Sequence, residues 1–190
     1  MSRIIAGTAG GRKIATPPGD ATRPTTDRVR EALFSSLESQ LGGWDDVAFL
    51  DVFAGSGAVG LEALSRGAAH ATFIERNRRT GDVIKRNINT VGAVDATVVV
   101  GSARQAIEDV SRQFHVVFLD PPYDYADDDL ATVLATVVQR ESIADDGLLI
   151  VERASRSGEP AWPDGVERIR TKKYGETTLW YGRRRRSGMT

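Results

Sequence analysis

Short apolar runs alternate with stretches of helical periodicity along the middle of the chain, from about residue 47 to residue 152. The runs that predict strands cover residues 47–53, 71–75, 96–100, 116–119 and 148–152. The stretches that predict helices cover residues 59–66, 78–91, 103–112 and 130–139. Regular alternation of this kind is typical of an α/β fold, and we predict a doubly wound, mostly parallel sheet.

Different patterns flank this central region. Residues 3–16 contain short apolar pieces punctuated by glycine, which predict a small hairpin. Thr25 or Thr26 can then cap a helix with an apolar face. Residues 166–173 and 177–181 surround Gly175 and predict a terminal hairpin. We therefore divide the chain into residues 1–38, an N-terminal hairpin with a linking helix, and residues 39–190, the α/β domain.

Composition fits a globular enzyme of the cytoplasm. The chain has 190 residues, of which 41% are hydrophobic and 27% charged, with a formal net charge of -1. We find no apolar stretch near the roughly 20 residues of a membrane span and no apolar core of a signal peptide at the start. Cysteine is absent and only His70 and His115 are present, so we expect neither disulfides nor a metal site.

The most informative motif is Asp-Pro-Pro-Tyr at residues 120–123, directly after an apolar run. Two consecutive prolines cannot continue a strand, so the chain must turn out of the sheet there. Asp120 and the Pro121 carbonyl can accept the two hydrogens of a planar exocyclic amine, while Tyr123 stacks on its ring. Taken alone, the tetrapeptide fits a strand that merely ends at Pro-Pro, with Asp120 capping a turn, equally well.

A second motif lies upstream, where the first predicted strand runs into a glycine-rich turn with Gly55, Gly57 and Gly60. This spacing matches G-x-G-x-x-G, and Glu75 ends the next strand 18 positions beyond Gly57, near the roughly 20 expected for a ribose-binding acid. The pattern suits NAD or S-adenosylmethionine equally. The Asp-Pro-Pro-Tyr motif favours S-adenosylmethionine, because a nicotinamide enzyme has no evident use for it.

These motifs, in their order along the chain, resemble those of class I S-adenosylmethionine-dependent amino methyltransferases. Residues 3–14 and 23–34 further resemble the N-terminal signature of the bacterial 16S rRNA guanine-N2 methyltransferases of the RsmD type, and residues 172–178 fit as well. The resemblance covers nearly the whole chain, and its N-terminal part is what separates the chain from DNA adenine methyltransferases. It implies a seven-stranded Rossmann-like sheet with one antiparallel strand in the C-terminal hairpin.

The resemblance also implies roles for individual residues. Methyl transfer from S-adenosylmethionine to the N2 amine of a guanine in 16S rRNA would use the catalytic residues Asp120, Pro121 and Tyr123. The cofactor would be bound by Asp51, Phe53, Gly55, Gly57, Glu75, Arg76, Ser102 and Ala103. Ser102 departs from the family pattern, which commonly has an acidic residue there, and this puts cofactor affinity in doubt.

Basic residues suggest where RNA binds. We expect RNA contacts from Arg3, Arg12, Lys13, Arg23, Arg28, Arg30, Lys172 and Lys173. Residues 183–186, four consecutive arginines, are interpreted as a mobile tail. The expected partner is 16S rRNA within a small ribosomal subunit or an assembly intermediate, bound by a monomer without membrane contact.

Two alternatives stay open at this point. The first is a methyltransferase with another planar acceptor, namely adenine N6 in DNA or RNA, or the glutamine amide of a protein. The second is a noncatalytic RNA-binding assembly factor that retains the fold. The presence of Asp120, Gly55, Gly57 and Glu75 argues against the second.

Overall fold

The computed structural model describes residues 2–19 and 25–188, and its main feature is a seven-stranded sheet in the order β5-β4-β3-β6-β7-β9-β8. A separate two-stranded hairpin, β1 (Ser2–Arg3) and β2 (Lys13–Ile14), precedes it. The sheet strands are β3 (Ala48–Val52), β4 (His70–Glu75), β5 (Ala96–Val100), β6 (Phe114–Leu119), β7 (Ile143–Ala154), β8 (Val166–Tyr174) and β9 (Thr177–Arg184). β9 is antiparallel to β7 and β8, whereas the other neighbouring strands pair in parallel.

Five α-helices connect the strands within residues 2–19 and 25–188. They are α1 (Asp27–Leu41), α2 (Ala58–Ser65), α3 (Arg78–Val91), α4 (Ala103–Asp109) and α5 (Asp127–Gln139). Thr26 caps α1 by accepting a hydrogen bond from the backbone N–H of Val29, and Gly42, in the left-handed region at φ 73°, ends it. In the part of the chain that the structure describes, no helix is long and apolar enough to cross a membrane.

The helices cover both faces of the sheet, so the molecule has three layers. On one face, Phe49 and Phe118 pack with Phe34 of α1 and with Ile4 and Ile14 of the N-terminal hairpin. On the opposite face, strand residues pack against α4 and α5. They include Leu50, Leu119 and Val151, which meet Ile107 and Leu134. Alternate residues of each strand enter different cores, as the period of two requires.

The predicted doubly wound sheet with its C-terminal antiparallel pairing and N-terminal hairpin is confirmed, with shifted boundaries. β7 begins at Ile143, five residues before the predicted strand at 148–152, and so includes Asp145 and Asp146. α5 begins at Asp127 because three aspartates in its first turn complement the helix dipole. The prediction of a mobile tail at residues 183–186 was wrong for Arg183 and Arg184, because both lie in β9.

Glu62 of α2 fastens the N-terminal segment to the sheet. Its carboxylate is fully buried, and it accepts hydrogen bonds from the backbone N–H groups of Ile5 at 2.8 Å and Ala6 at 3.0 Å. Arg66 donates to the same carboxylate at 3.0 Å, and Arg30 lies 3.9 Å away. The N-terminal residues therefore share both a core and a buried carboxylate with the sheet, and the predicted boundary at residue 38 falls inside α1. The division into two domains stays a prediction.

We predict that Glu62→Gln destabilises the fold by about 2–4 kcal/mol. In the native protein both carboxylate oxygens of Glu62 accept hydrogen bonds from buried donors, whereas glutamine would replace one of these oxygens by an NH₂ group, which cannot accept them. Denaturant unfolding followed by circular dichroism measures this loss. Glu38→Gln is the matched control, since Glu38 is half-exposed and pairs with the same Arg66 at 3.0 Å. It should cost less than about 1 kcal/mol. Equal losses in the two variants would contradict the anchoring role.

Candidate active site

The carboxyl ends of four neighbouring strands meet at one edge of the sheet. Val52, the last residue of β3, is in register with Ile74 of β4 and with Leu119 of β6. Leu119 is in turn in register with Val151 of β7. The residues one position further along are Phe53, Glu75, Asp120 and Glu152. Ligands of open parallel sheets bind at this edge.

The glycine-rich turn after β3 is held in place by Glu75. The backbone N–H of Gly55 donates to one oxygen of the Glu75 carboxylate at 2.9 Å, and the N–H of Asn77 donates to the other at 3.0 Å. Gly55 and Gly57 both have positive φ, at 57° and 82°, which only glycine adopts without strain. Phe53 has a φ of 62° in the same turn, so a bulky side chain is also held in the left-handed region.

Gly60 permits close packing behind this turn. A Cβ atom at this position would lie 2.4 Å from the ring of Phe73 in β4, so any side chain there would collide with an aromatic ring of the core. Its backbone N–H donates to Asp51 at 2.9 Å. The first turn of α2 is thereby fixed against both β3 and β4.

Asp51 is a buried carboxyl group, with 1% of its surface exposed. Burial raises its pKa from 3.8 to about 8; the Gly60 N–H acts in the opposite direction, and the negative charge of Glu75 raises it further. At neutral pH, Asp51 therefore keeps its proton. A positively charged group placed against it would favour the ionised form.

Asp120 is half-buried at the end of β6, where the chain turns at the two prolines. The hydroxyl of Thr25 lies 3.2 Å from an Asp120 oxygen and 2.7 Å from an oxygen of Glu152. Glu152 is 7% exposed and was not among the predicted site residues. Its signal in the sequence was an acidic residue at the end of a buried strand, the same signal that identified Glu75. The segment before α1 thus contacts the carboxylates of two strands.

Two tyrosines of the next loop have different surroundings. Tyr123, which we predicted to stack on the substrate, has 82% of its surface exposed. Tyr125 is half-buried, with its ring centroid 5.0 Å from that of Phe53 and the two planes at 72°. Its backbone N–H donates to the Pro122 carbonyl at 2.9 Å and closes the turn. Stacking by Tyr123 stays a prediction, and Tyr125 is an aromatic side chain of the site that the motif did not indicate.

The remaining predicted cofactor residues lie along the same edge of the sheet. Arg76 follows β4 and is exposed. Ser102 caps α4 by accepting a hydrogen bond from the Gln105 N–H at 3.4 Å, and the next residue, Ala103, is buried. The hydroxyl of Ser102 is thus engaged with α4. Beside it, β5 and α4 border a surface depression of about 340 Å³, which none of the predicted site residues line.

The basic residues assigned to RNA divide into separate groups. Arg3, Arg12, Lys13 and Arg28 are exposed, and Arg12 donates to the Thr90 carbonyl at 3.3 Å. Lys172 and Lys173 are exposed on β8, but they are successive strand residues and therefore point to opposite faces of the sheet. Arg23 lies outside the described residues.

Arg30 was wrongly assigned to the RNA surface. Only 1% of its surface is exposed, and its guanidinium bonds to the Arg3 carbonyl at 2.5 Å, to the Ser2 hydroxyl at 3.2 Å and to Asp27 at 3.1 Å. Burial lowers its pKa, while the negative charges of Glu62 and Asp27 raise it. Arg30 is a structural residue that ties α1 to β1. The burial of Arg30 could have been predicted from the sequence, because Arg30 lies on the same face of α1 as Val29, Leu33 and Phe34.

Among the residues described, no group of three or more histidine, aspartate or glutamate side chains is arranged to hold a metal ion. The acidic side chains at this edge of the sheet come one from each of four strand ends: Asp51 in β3, Glu75 in β4, Asp120 directly after β6 and Glu152 in β7.

Comparison with known proteins assigns the chain to a family. Residues 2–183 match the family described as conserved hypothetical protein 95. Ribosomal RNA small subunit methyltransferase D of Escherichia coli is 38% identical over 174 residues, covering 92% of this chain and 85% of the relative. The chain belongs to the RsmD family. The resemblance stated from the motifs is thereby confirmed.

Two further members support the assignment. The putative rRNA methyltransferase YlbH of Bacillus subtilis is 32% identical, covering 92% of this chain and 95% of the relative. The solved structure of the putative methyltransferase yhhF from Escherichia coli superimposes with a TM-score of 0.83 at 37% identity, covering 97% of this chain and 98% of the other. The range matched by the family, residues 2–183, includes the N-terminal hairpin as well as the sheet.

We predict that Asp51→Asn stabilises the cofactor-free protein at high pH. Folded Asp51 holds its proton to about pH 8, whereas the unfolded chain releases it near 3.8, so the folded state binds more protons in this window. Stability of the native protein then falls as pH rises from about 4 to about 8 and levels off above it. The asparagine variant lacks this loss, and its advantage in thermal unfolding should be larger at pH 9 than at pH 5.

Asp45→Asn, at an exposed position before β3, is the control for a general effect of removing one negative charge. Its melting temperature should differ from that of the native protein by the same small amount at both pH values. An Asp51→Asn advantage that does not change between pH 5 and pH 9 would refute the raised pKa.

Proposed function

We propose that this protein transfers the methyl group of S-adenosylmethionine to the N2 amine of a guanine in 16S rRNA. The observation that carries the proposal is the position of the Asp120–Pro121 turn. This turn directly follows β6, and the glycine-rich turn follows the neighbouring strand β3. Glu75 ends β4, the neighbour of β3 on its other side. The amine acceptor site and the nucleoside-binding site that we propose would thus be adjacent at one edge of the sheet. Family membership supports rRNA as the substrate.

The residues present fit S-adenosylmethionine. The glycine-rich turn and the start of α2 offer backbone N–H groups to the carboxylate of the methionine part. Glu75 can accept hydrogen bonds from the ribose hydroxyls with oxygen lone pairs that the Gly55 and Asn77 N–H groups do not use. Asp51 would face the ammonium, whose positive charge would draw its pKa down from about 8. When bound, the cofactor supplies a methyl group activated by a sulfonium.

The protein's contribution to the reaction is orientation. The lone pair of the guanine amine is delocalised into the ring, so it must be aimed at the methyl group. Asp120 and the carbonyl of Pro121 would accept the two amine hydrogens and fix that direction. A strong base is unnecessary, because the amine becomes acidic once the methyl group has been transferred. Asp120 can then take up the proton.

The exposed basic residues at the N terminus and on β8 would contact the RNA backbone. Arg3, Arg12, Lys13 and Arg28 lie in the segment that also contains Thr25, whose hydroxyl meets Asp120 and Glu152. Arg12 lies beside Thr90 in the last turn of α3, and Arg28, three positions from Thr25, would make its phosphate contact near the proposed acceptor site. The guanine must leave its stack or lie in an exposed loop to reach it, and binding should weaken steeply with salt.

The direct test is methyl transfer from labelled S-adenosylmethionine to small ribosomal subunits purified from cells that lack the enzyme. Nucleoside analysis of the digested RNA should show labelled N2-methylguanosine. Free 16S rRNA, DNA and total protein serve as competing acceptors in parallel reactions. Label in N6-methyladenosine or in protein would contradict guanine N2 as the acceptor and identify adenine or a protein side chain in its place. Cofactor binding without label in any of the four would indicate a noncatalytic assembly factor.

We further predict that Asp120→Ala lowers turnover by at least about 100-fold while changing cofactor affinity less than about 3-fold, because the lost contact orients the amine. Turnover is measured with saturating subunits, and affinity by calorimetry with S-adenosylhomocysteine. Asp124→Ala, at an exposed aspartate of the same loop, is the matched control and should retain turnover. Parallel loss of turnover and cofactor affinity in Asp120→Ala would contradict the assigned role.

A further inference from the structure

Tyr125 joins the two loops between which methyl transfer would take place. It belongs to the loop after β6, where its backbone N–H bonds to the Pro122 carbonyl at 2.9 Å. Its ring packs with an edge-to-face geometry against Phe53, which belongs to the turn after β3. Phe53 is held there at a φ of 62°. The position of this aromatic pair is thus fixed from both loops.

The charges near the Tyr125 hydroxyl show how far its side chain extends. Burial raises the pKa of Tyr125, the negative charge of Asp129 on α5 raises it further, and the positive charge of Arg76 lowers it. Arg76 follows β4 directly. The phenol therefore lies against Phe53, which follows β3, and within the electrostatic influence of Arg76, which follows β4. Burial thus acts to keep the proton on the phenol by raising its pKa.

The proposed reaction places the sulfonium in this region. The acceptor amine lies at Asp120 and Pro121, after β6, and the ribose lies at Glu75, at the end of β4. The sulfur connects the ribose to the methyl group, so it must lie between these two strands, above the end of β3. Phe53 and Tyr125 lie at that strand end. An aromatic face attracts a cation, and an edge-to-face pair leaves ring faces available for one.

We propose that the ring of Tyr125, supported by Phe53, contacts the sulfonium of S-adenosylmethionine and gives the protein a preference for the charged cofactor over its neutral product. This inference rests on the proposed methyl-transfer function. Removal of the methyl group converts the sulfonium to a thioether, so the attraction ends when the reaction ends. The same contact that binds the cofactor thereby assists release of the product.

The test compares the affinities of S-adenosylmethionine and S-adenosylhomocysteine by calorimetry for native protein, Tyr125→Leu and Tyr125→Phe. We expect Tyr125→Leu to lose about 3- to 10-fold in affinity for S-adenosylmethionine and less than about 2-fold for S-adenosylhomocysteine. Tyr125→Phe keeps the aromatic face and should retain the native ratio of affinities. Tyr123→Leu, at the exposed tyrosine of the same loop, should leave both affinities unchanged.

Three outcomes would overturn the inference. Equal losses for both ligands would mean that Tyr125 only packs, and unchanged affinities would mean that it does not contact the cofactor. A higher KM for the ribosomal subunit with native cofactor affinities would make Tyr125 a residue of the base site instead. Failure of the native protein to bind either ligand would refute the proposed function itself, which is a separate result.

A second variant covers the possibility that Tyr125→Leu does not fold. Pentafluorophenylalanine incorporated at position 125 keeps an aromatic ring of similar shape but withdraws electron density from its face. It should weaken binding of S-adenosylmethionine relative to Tyr125→Phe while leaving binding of S-adenosylhomocysteine the same. Retained affinity for both ligands in the fluorinated protein would refute the contact with the sulfonium.

Discussion

The parallel register of β3 with its two neighbours is the constraint on which the site depends. Because Val52 is aligned with both Ile74 and Leu119, three chain segments leave the sheet at the same level. Each departure places a different chemical group at that edge: a glycine-rich turn, a carboxylate and a Pro-Pro turn. A slip of one residue in either pairing would move these groups to opposite faces of the sheet.

Buried charge serves two purposes in this protein. Glu62 and Arg30 are buried with partners: Glu62 fastens the N-terminal segment to α2, and Arg30 ties α1 to β1. Asp51 is buried with one backbone N–H from Gly60 and a raised pKa, which costs stability above about pH 4. Such a cost is expected where a residue is arranged for a ligand and not for the fold. The proposed ammonium of the cofactor would supply the missing positive charge.

The N-terminal segment is packed into the rest of the protein. Its apolar residues Ile4 and Ile14 lie in the same core as Phe49 of β3. Thr25, at its end, contacts Asp120 and Glu152, which lie 95 and 127 positions away along the chain. The N-terminal segment, the sheet and the Asp120 turn are therefore parts of one packed unit.

The sequence by itself determined the features that have local causes. Strand and helix alternation, the glycine-rich turn and the Pro-Pro turn follow from periodicity and backbone chemistry, and they were sufficient to place Glu75 and Asp120 at the ends of strands. The helix from Asp27 was likewise predictable from its Thr cap and apolar face. Motif order together with the N-terminal signature identified the family.

Only the tertiary structure decided which side chains these elements bring together. Tyr123 and Tyr125 are two positions apart, and packing against Phe53 selected Tyr125 while Tyr123 stayed exposed. Arg30 was taken for a surface cation because its charge is visible in the sequence, whereas its partner Glu62 is 32 positions away. Contacts across such separations depend on how whole elements pack, and no local pattern encodes them.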